Sequence, residues 1–203
     1  MTSSYDSLGI RPIINAQATL TMFGGSLMPE EVRKAMDQAA GSFVDLHQLQ
    51  LSVGERLAEL THNEAAYVSC GAASGLLLAT AACISRHTAD AYEDFSKLNG
   101  VPNEVIVQKI HRNSYDYAVQ EAGAKMVEIG SNEGTQIEDL ERAVSSATVA
   151  IFWFQGAMND PSELSLKDVI QSAVNHKVPV IVDAAAQLPP VSNLWYFTQQ
   201  GAD

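Results

Sequence analysis

From residue 65 onward the sequence alternates between short apolar runs and stretches of helical period. No other feature constrains the fold as tightly. Strands are predicted over residues 65–69, 104–108, 125–129, 147–154 and 178–182, because each is a brief apolar or β-branched run bounded by polar or small residues. Helices are predicted over 76–84, 114–122, 136–144 and 164–176. Residues 178–182, Val-Pro-Val-Ile-Val, are apolar at every position. A strand apolar on both faces must be covered on both faces, which implies a mostly parallel sheet between helical layers. The expected fold class is α/β: an N-terminal arm and helices, followed by an α/β/α sandwich. Helices are also predicted over 28–41 and 48–61, with Gly54 a weak point in the second. The division falls at 1–62 for the arm and helices and 63–203 for the large domain. Residues 91–102 are polar, contain Gly100 and read as an inserted loop.

Charge narrows the partners. Twelve Lys and Arg stand against 24 Asp and Glu, for a net charge of -12. The cations are scattered, so a nucleic-acid partner is not expected. Two cysteines, Cys70 and Cys83, cannot staple 203 residues, and they suit a reducing compartment. No apolar run is long enough to span a membrane and the start lacks signal-peptide features. A cytoplasmic location is the resulting expectation.

Ligands of open parallel sheets bind at the carboxyl ends of the strands, and three such ends carry suggestive residues. Cys70-Gly71-Ala72-Ala73-Ser74-Gly75 opens a helix with small residues. Its first N–H groups could cup a phosphate, helped by the Ser74 hydroxyl; a tight strand-to-helix turn explains the same residues. The motif lacks the Lys of a P-loop and the spacing of GxGxxG. Asp183 ends an apolar strand. It could pair with a protonated ring nitrogen, bind a ribose or a metal, cap a helix or form a structural ion pair. With no second carboxylate or His nearby in sequence, a metal has little support. His111 follows the strand at 104–108 and could be a base, a ligand, a flat ring for stacking or a solvated loop residue. Arg112 beside it is a candidate anion partner.

Taken in order, these three ends resemble fold-type I enzymes that use pyridoxal phosphate. The nearer resemblance is to the group of selenocysteine synthase (L-seryl-tRNA selenium transferase) and the D-glucosaminate-6-phosphate ammonia-lyases. The residues that carry it are Pro12-Ile-Ile-Asn15-Ala16, Cys70 to Gly75, His111-Arg-Asn-Ser-Tyr-Asp116, Gly123 to Gly130, and Val182-Asp183-Ala-Ala-Ala-Gln187 running to Gly201-Ala-Asp203. The resemblance implies an aminotransferase-like large domain with pyridoxal 5'-phosphate as cofactor. The phosphate would lie on the N–H groups of Ala72, Ala73, Ser74 and Gly75. Asp183 would pair with the pyridinium nitrogen, making the ring an electron sink, and His111 would lie against the ring face. Gln187 would reach the cofactor oxygen, although its spacing from Asp183 departs from the usual pattern. Asn15 and Arg112 fall to the substrate.

The resemblance further implies a lyase or transferase acting on an amino acid or amino sugar acid, by removal of the Cα proton and loss of a β-substituent. The Schiff-base lysine of such enzymes follows the Gly-Ala-Asp with which this sequence ends, and none of Lys34, Lys97, Lys109, Lys125, Lys167 and Lys177 holds that place. The expectation is therefore an N-terminal fragment, incomplete in its large domain and inactive alone. Two alternatives stand: the tRNA-dependent selenium transferase, and a non-catalytic chain that only folds and associates. A homo-oligomer is expected because sites in this group lie between subunits.

Overall fold

The computed structural model describes residues 5–17, 19–88, 100–156 and 160–203. It forms two compact units, Met1–Leu46 and His47–Asp203. In the first, helix α1 (Glu30–Ala39) starts directly after Pro29 and carries Glu30 and Glu31 in its first turn, where the helix dipole favours negative charge. Two single 3-10 turns, Asp6–Leu8 and Thr21–Phe23, end on Gly9 and Gly24. None of the described residues of this unit is buried.

The second unit opens with helix α2 (Leu46–Thr61) and continues with α3 (Ala72–Ser85). Strands β1 (Glu104–Gln108), β2 (Lys125–Ile129), β3 (Thr148–Phe154) and β4 (Val180–Asp183) follow. Between and after them lie α4 (Asp116–Glu121), α5 (Ile137–Ala143), α6 (Leu166–His176) and α7 (Asn193–Gln199). The four strands are parallel, in the order β2-β1-β3-β4. The two-residue side-chain period of each strand sorts the core into two layers. Ile106, Ile151, Trp153 and Val180 face Leu140 of α5 and Val169 of α6. Val105, Val107, Phe152 and Ile181 face Leu76 and Ile84 of α3 and Val119 of α4. The α/β/α sandwich and the parallel sheet expected from the apolar runs are both present.

One expectation needs correction. Residues 65–69 join no ladder. They run along α2 instead: Gln50 Nε2 donates to the Val68 carbonyl at 2.8 Å, and the Ala66 carbonyl lies over Gly54. A strand needs a partner, and local periodicity cannot supply one. The second compact unit starts at His47 and so includes α2. α2 is tied to α7 by Asn63, whose Nδ2 donates to the Leu194 carbonyl at 2.9 Å and whose Oδ1 accepts from Thr198 Oγ1 at 2.5 Å. The His62 ring stacks on Trp195 with centroids 4.8 Å apart. Helix α7 itself was not expected. Of the inserted loop, residues 91–99 lie outside the described residues.

Candidate functional site

Sheet order decides where a ligand can approach. From β1 the chain moves to one side to form β2, then returns to the other side to form β3 and β4. The direction reverses between β1 and β3, and their carboxyl ends diverge into a crevice there. Asp183 at the end of β4, His111 just past β1, and the start of α3 on one face all belong to this edge.

At the start of α3, Gly71 serves as the N-cap with φ 118°, a backbone region that favours glycine, and no side chain caps the helix. The Gly75 N–H donates to the Gly71 carbonyl at 3.0 Å, which is the first bond of the helix. The four free amides expected over Ala72–Gly75 are therefore three: those of Ala72, Ala73 and Ser74. A Cβ built at Gly75 would meet nothing nearer than Ser69 Oγ at 3.6 Å. Space beside the first turn is thus open to a ligand and is not filled by the protein.

Asp183 is 6% exposed. Its Oδ1 accepts from the Ala185 N–H at 3.0 Å, and no cation among the described residues pairs with it. Burial pushes its pKa up, and the Ala185 hydrogen bond offsets this only in part. Strand alternation puts its side chain on the same face as Ile181, the face covered by α3. Helix α3 touches both β3 and β4. A buried carboxylate short of a cation and a helix end short of an anion thus share one face of the sheet. A ligand with a cationic ring nitrogen at one end and an anionic group at the other would satisfy both.

His111 has contacts unlike those of a free stacking ring. It is 3% exposed, and it meets Trp153 edge-on with centroids 4.6 Å apart. Its Nε2 lies 2.9 Å from Glu163 Oε2, and its Nδ1 lies 3.4 Å from the Phe154 amide nitrogen. Trp153 belongs to the α5–α6 layer, so the ring leans to the face opposite α3. Arg112 is committed to two carboxylates, Asp116 through Nε and Glu128 at 2.9 Å through a terminal nitrogen. The Asp116 hydrogen bond is the main reason its pKa is raised further. As placed, it neutralises these two acids. Gln187 ties the ends of β4 and β3 together: its Nε2 donates to the Gln155 carbonyl at 2.9 Å, and its carbonyl accepts from Asn193 Nδ2 at 2.6 Å. Asn15 lies in the first unit, where its Oδ1 accepts from the Gln17 N–H at 2.8 Å.

Among the lysines, Lys34 and Lys125 are paired with Glu30 and Glu104, Lys177 closes α6, and Lys97 lies outside the described residues. A cavity of about 590 Å³ sits at the opposite, amino edge of the sheet, lined by Arg86, His87, Ser145, His176 and Lys177 among others. Arg86 and Lys177 stand at the carboxyl ends of α3 and α6, where cations answer the helix dipole. That explains them without a ligand. Sequence reasoning missed Glu163. It is 52 positions from His111, and no local signal links the two.

No family model matches the sequence. It is 33% identical over 193 residues to 5'-C-glycyluridine monooxygenase-decarboxylase from Streptomyces, covering 92% of this chain and 48% of that protein. It is 31% identical over 188 residues to D-glucosaminate-6-phosphate ammonia lyase from Salmonella typhimurium, covering 90% of this chain and 51% of that one. A solved structure of D-glucosaminate-6-phosphate ammonia-lyase superposes with a TM-score of 0.92 at 29% identity, over 100% of this chain and 55% of its own. The chain is a fold-type I relative of D-glucosaminate-6-phosphate ammonia lyase. It is also 23% identical to L-seryl-tRNA(Sec) selenium transferase from Geotalea daltonii, over 89% of this chain and 40% of that protein. Thermotoga maritima aspartate aminotransferase shares the fold, with a TM-score of 0.53 at 17% identity. The chain spans about half the length of these two curated relatives, the monooxygenase-decarboxylase and the ammonia lyase. Among the described residues, no helix is long and apolar enough to cross a membrane.

Proposed function

We propose that this chain forms the pyridoxal-phosphate-binding part of a cytoplasmic lyase or transferase that acts on an amino acid or amino sugar acid. The observation that carries the reading is Asp183, a buried carboxylate without a cationic partner among the described residues, on the face where α3 offers three free amides. Those amides and the Ser74 hydroxyl would hold the phosphate, and Asp183 would hold the ring nitrogen in its protonated form. When bound, the cofactor supplies an electron sink for the pair left at Cα. The residues of this chain bind and orient the cofactor. The desolvated Asp183 favours a cation beside it, because pairing removes the penalty of its buried charge. The Ala185 N–H orients the carboxylate, and Gln187 keeps the β3 and β4 ends closed over that edge. Deprotonation at Cα followed by β-elimination is the reaction we assign, by similarity to the ammonia lyase over the whole length of this chain.

Selenium transfer on a tRNA is the alternative, supported by the relative at 23% identity. The net charge of -12 favours a small substrate over RNA. A homo-oligomer accords with the exposed Ile14, Leu27 and Phe43 of the first unit. The test is equilibrium binding of pyridoxal phosphate, followed by fluorescence, to the chain and to its Asp183→Asn variant. Loss of a charged hydrogen bond should weaken binding by about 10- to 100-fold. Equal binding by the two proteins, or none by the native chain, refutes the reading.

A further inference from the structure

The carboxyl edge contains a buried acid–imidazole pair whose carboxylate, Glu163, the cofactor reading leaves unused. The side chains of His111 and Glu163 are 4% and 10% exposed, and Glu163 Oε2 lies 2.9 Å from His111 Nε2. On the other side of the ring the Phe154 N–H points at Nδ1, 3.4 Å away. A backbone N–H can only donate, so Nδ1 must present its lone pair. The proton of the neutral imidazole then sits on Nε2 and is donated to the carboxylate.

This arrangement extends the sheet. β1 pairs with β3 as far as Val107 opposite Phe152. Beyond Gln108 the chain turns into the single helical turn Lys109–His111, and the imidazole takes the place of the next backbone acceptor. On the far side of β3, Phe154 stands in register with Asp183, and the Gln155 N–H donates to the Asp183 carbonyl at 2.9 Å. The same end of β1 grips the neighbouring residue too, since Gln108 Oε1 accepts from the Leu164 N–H at 2.7 Å. Contacts therefore run without a gap from Glu163 through His111 and Phe154 to the strand end that bears Asp183.

We propose that Glu163 is a positioning residue of the site. It locks His111 as the Nε2–H tautomer, and through that ring it holds the end of β3 against Asp183. The step to cofactor binding rests on the function proposed above; the tautomer lock does not. Without the carboxylate, only the long Phe154 contact at 3.4 Å opposes the other tautomer, which would turn an N–H onto the Phe154 N–H.

Three measurements on the full chain test this. In the native protein, 15N chemical shifts of His111 should show a protonated Nε2 and a bare Nδ1; a proton on Nδ1 overturns the proposal and needs no variant. In Glu163→Leu, the Phe154 amide should exchange about tenfold faster with solvent, the equivalent of one lost hydrogen bond, while the Phe152 amide stays protected. Glu163→Gln keeps an acceptor oxygen and should restore both the tautomer and the slow exchange. Unchanged Phe154 exchange in Glu163→Leu overturns the lock. Pyridoxal phosphate affinity should fall about threefold or more in Glu163→Leu; an unchanged affinity beside faster exchange overturns the link to Asp183. A native chain that shows the Nε2–H tautomer yet binds no pyridoxal phosphate refutes the proposed function and leaves the lock standing.

Discussion

Two glycines in helices of the second unit should respond in opposite ways to the same added methyl group. Gly54 lies within α2, where Ala is worth about 1 kcal/mol more than Gly in an exposed helix interior. Its surroundings reverse the sign. A Cβ there would lie 2.4 Å from the Ala66 carbonyl oxygen, and that neighbour is backbone and cannot swing away. Either α2 or the segment leading to α3 must move by most of an ångström. Overpacking of this kind costs about 1–3 kcal/mol, and a backbone clash belongs in the upper half of that range. Gly54→Ala should therefore destabilise by about 1–2 kcal/mol net, or about 2–8 °C in melting temperature for a chain of this size. Gly75, near the start of α3, has only an ordinary contact at 3.6 Å. Gly75→Ala should leave stability unchanged or raise it by up to about 1 kcal/mol, yet weaken pyridoxal phosphate binding by filling the space beside the first turn. Urea unfolding of both variants, with cofactor titrations alongside, decides the matter. A higher urea midpoint for Gly54→Ala would show that the approach of Ala66 carries no constraint.

Stability should also depend on pH through Asp183. Burial raises its folded-state pKa above the ordinary 3.8, so the fold is not penalised while the carboxyl is protonated, and it loses stability as pH climbs through the raised value. Asp183→Asn keeps an acceptor for Ala185 and removes the charge; its advantage over the native chain should be absent in acid and grow toward neutrality, as read from urea midpoints across that range. A difference that does not vary with pH would contradict this. At the end of α6, Lys177 adopts a left-handed conformation with φ 58°, and Lys177→Gly should raise stability by about 0.5–1 kcal/mol in the same assay; no gain would mean that the side chain has contacts that offset the strain.

What the sequence revealed depended on how local the cause was. Strands 104–108 and 125–129 lie where the apolar runs put them: the first is buried from Val105 to Gln108 inside the sheet, and the second is a half-buried edge strand that ends on buried Ile129. Asp183 was legible because a carboxylate directly after an apolar strand has little choice of place. Residues 65–69 were misread because β character is completed by a partner, and theirs is the flank of a helix. The pairing of Arg112 with Glu128 was not legible, because the two are far apart in sequence. Glu163 was invisible for the same reason. Gly54 registered only as a helix defect, since the Ala66 oxygen that explains it is a tertiary contact.

The strand order also bears on how the unit is made. β2 is synthesised after β1 and pairs with it; β3 then docks on the other side of β1, and β4 docks on β3. Each strand after the first emerges to find its partner already in place. The inner side of β1 still waits for β3, a delay of about 50 residues, or about 3–10 s at ordinary translation rates. During that interval Val105, Ile106 and Val107 lack one neighbour. A ribosome paused between β2 and β3 would hold out an apolar strand edge, which makes that stretch of the message the one where translation speed most affects the yield of folded protein.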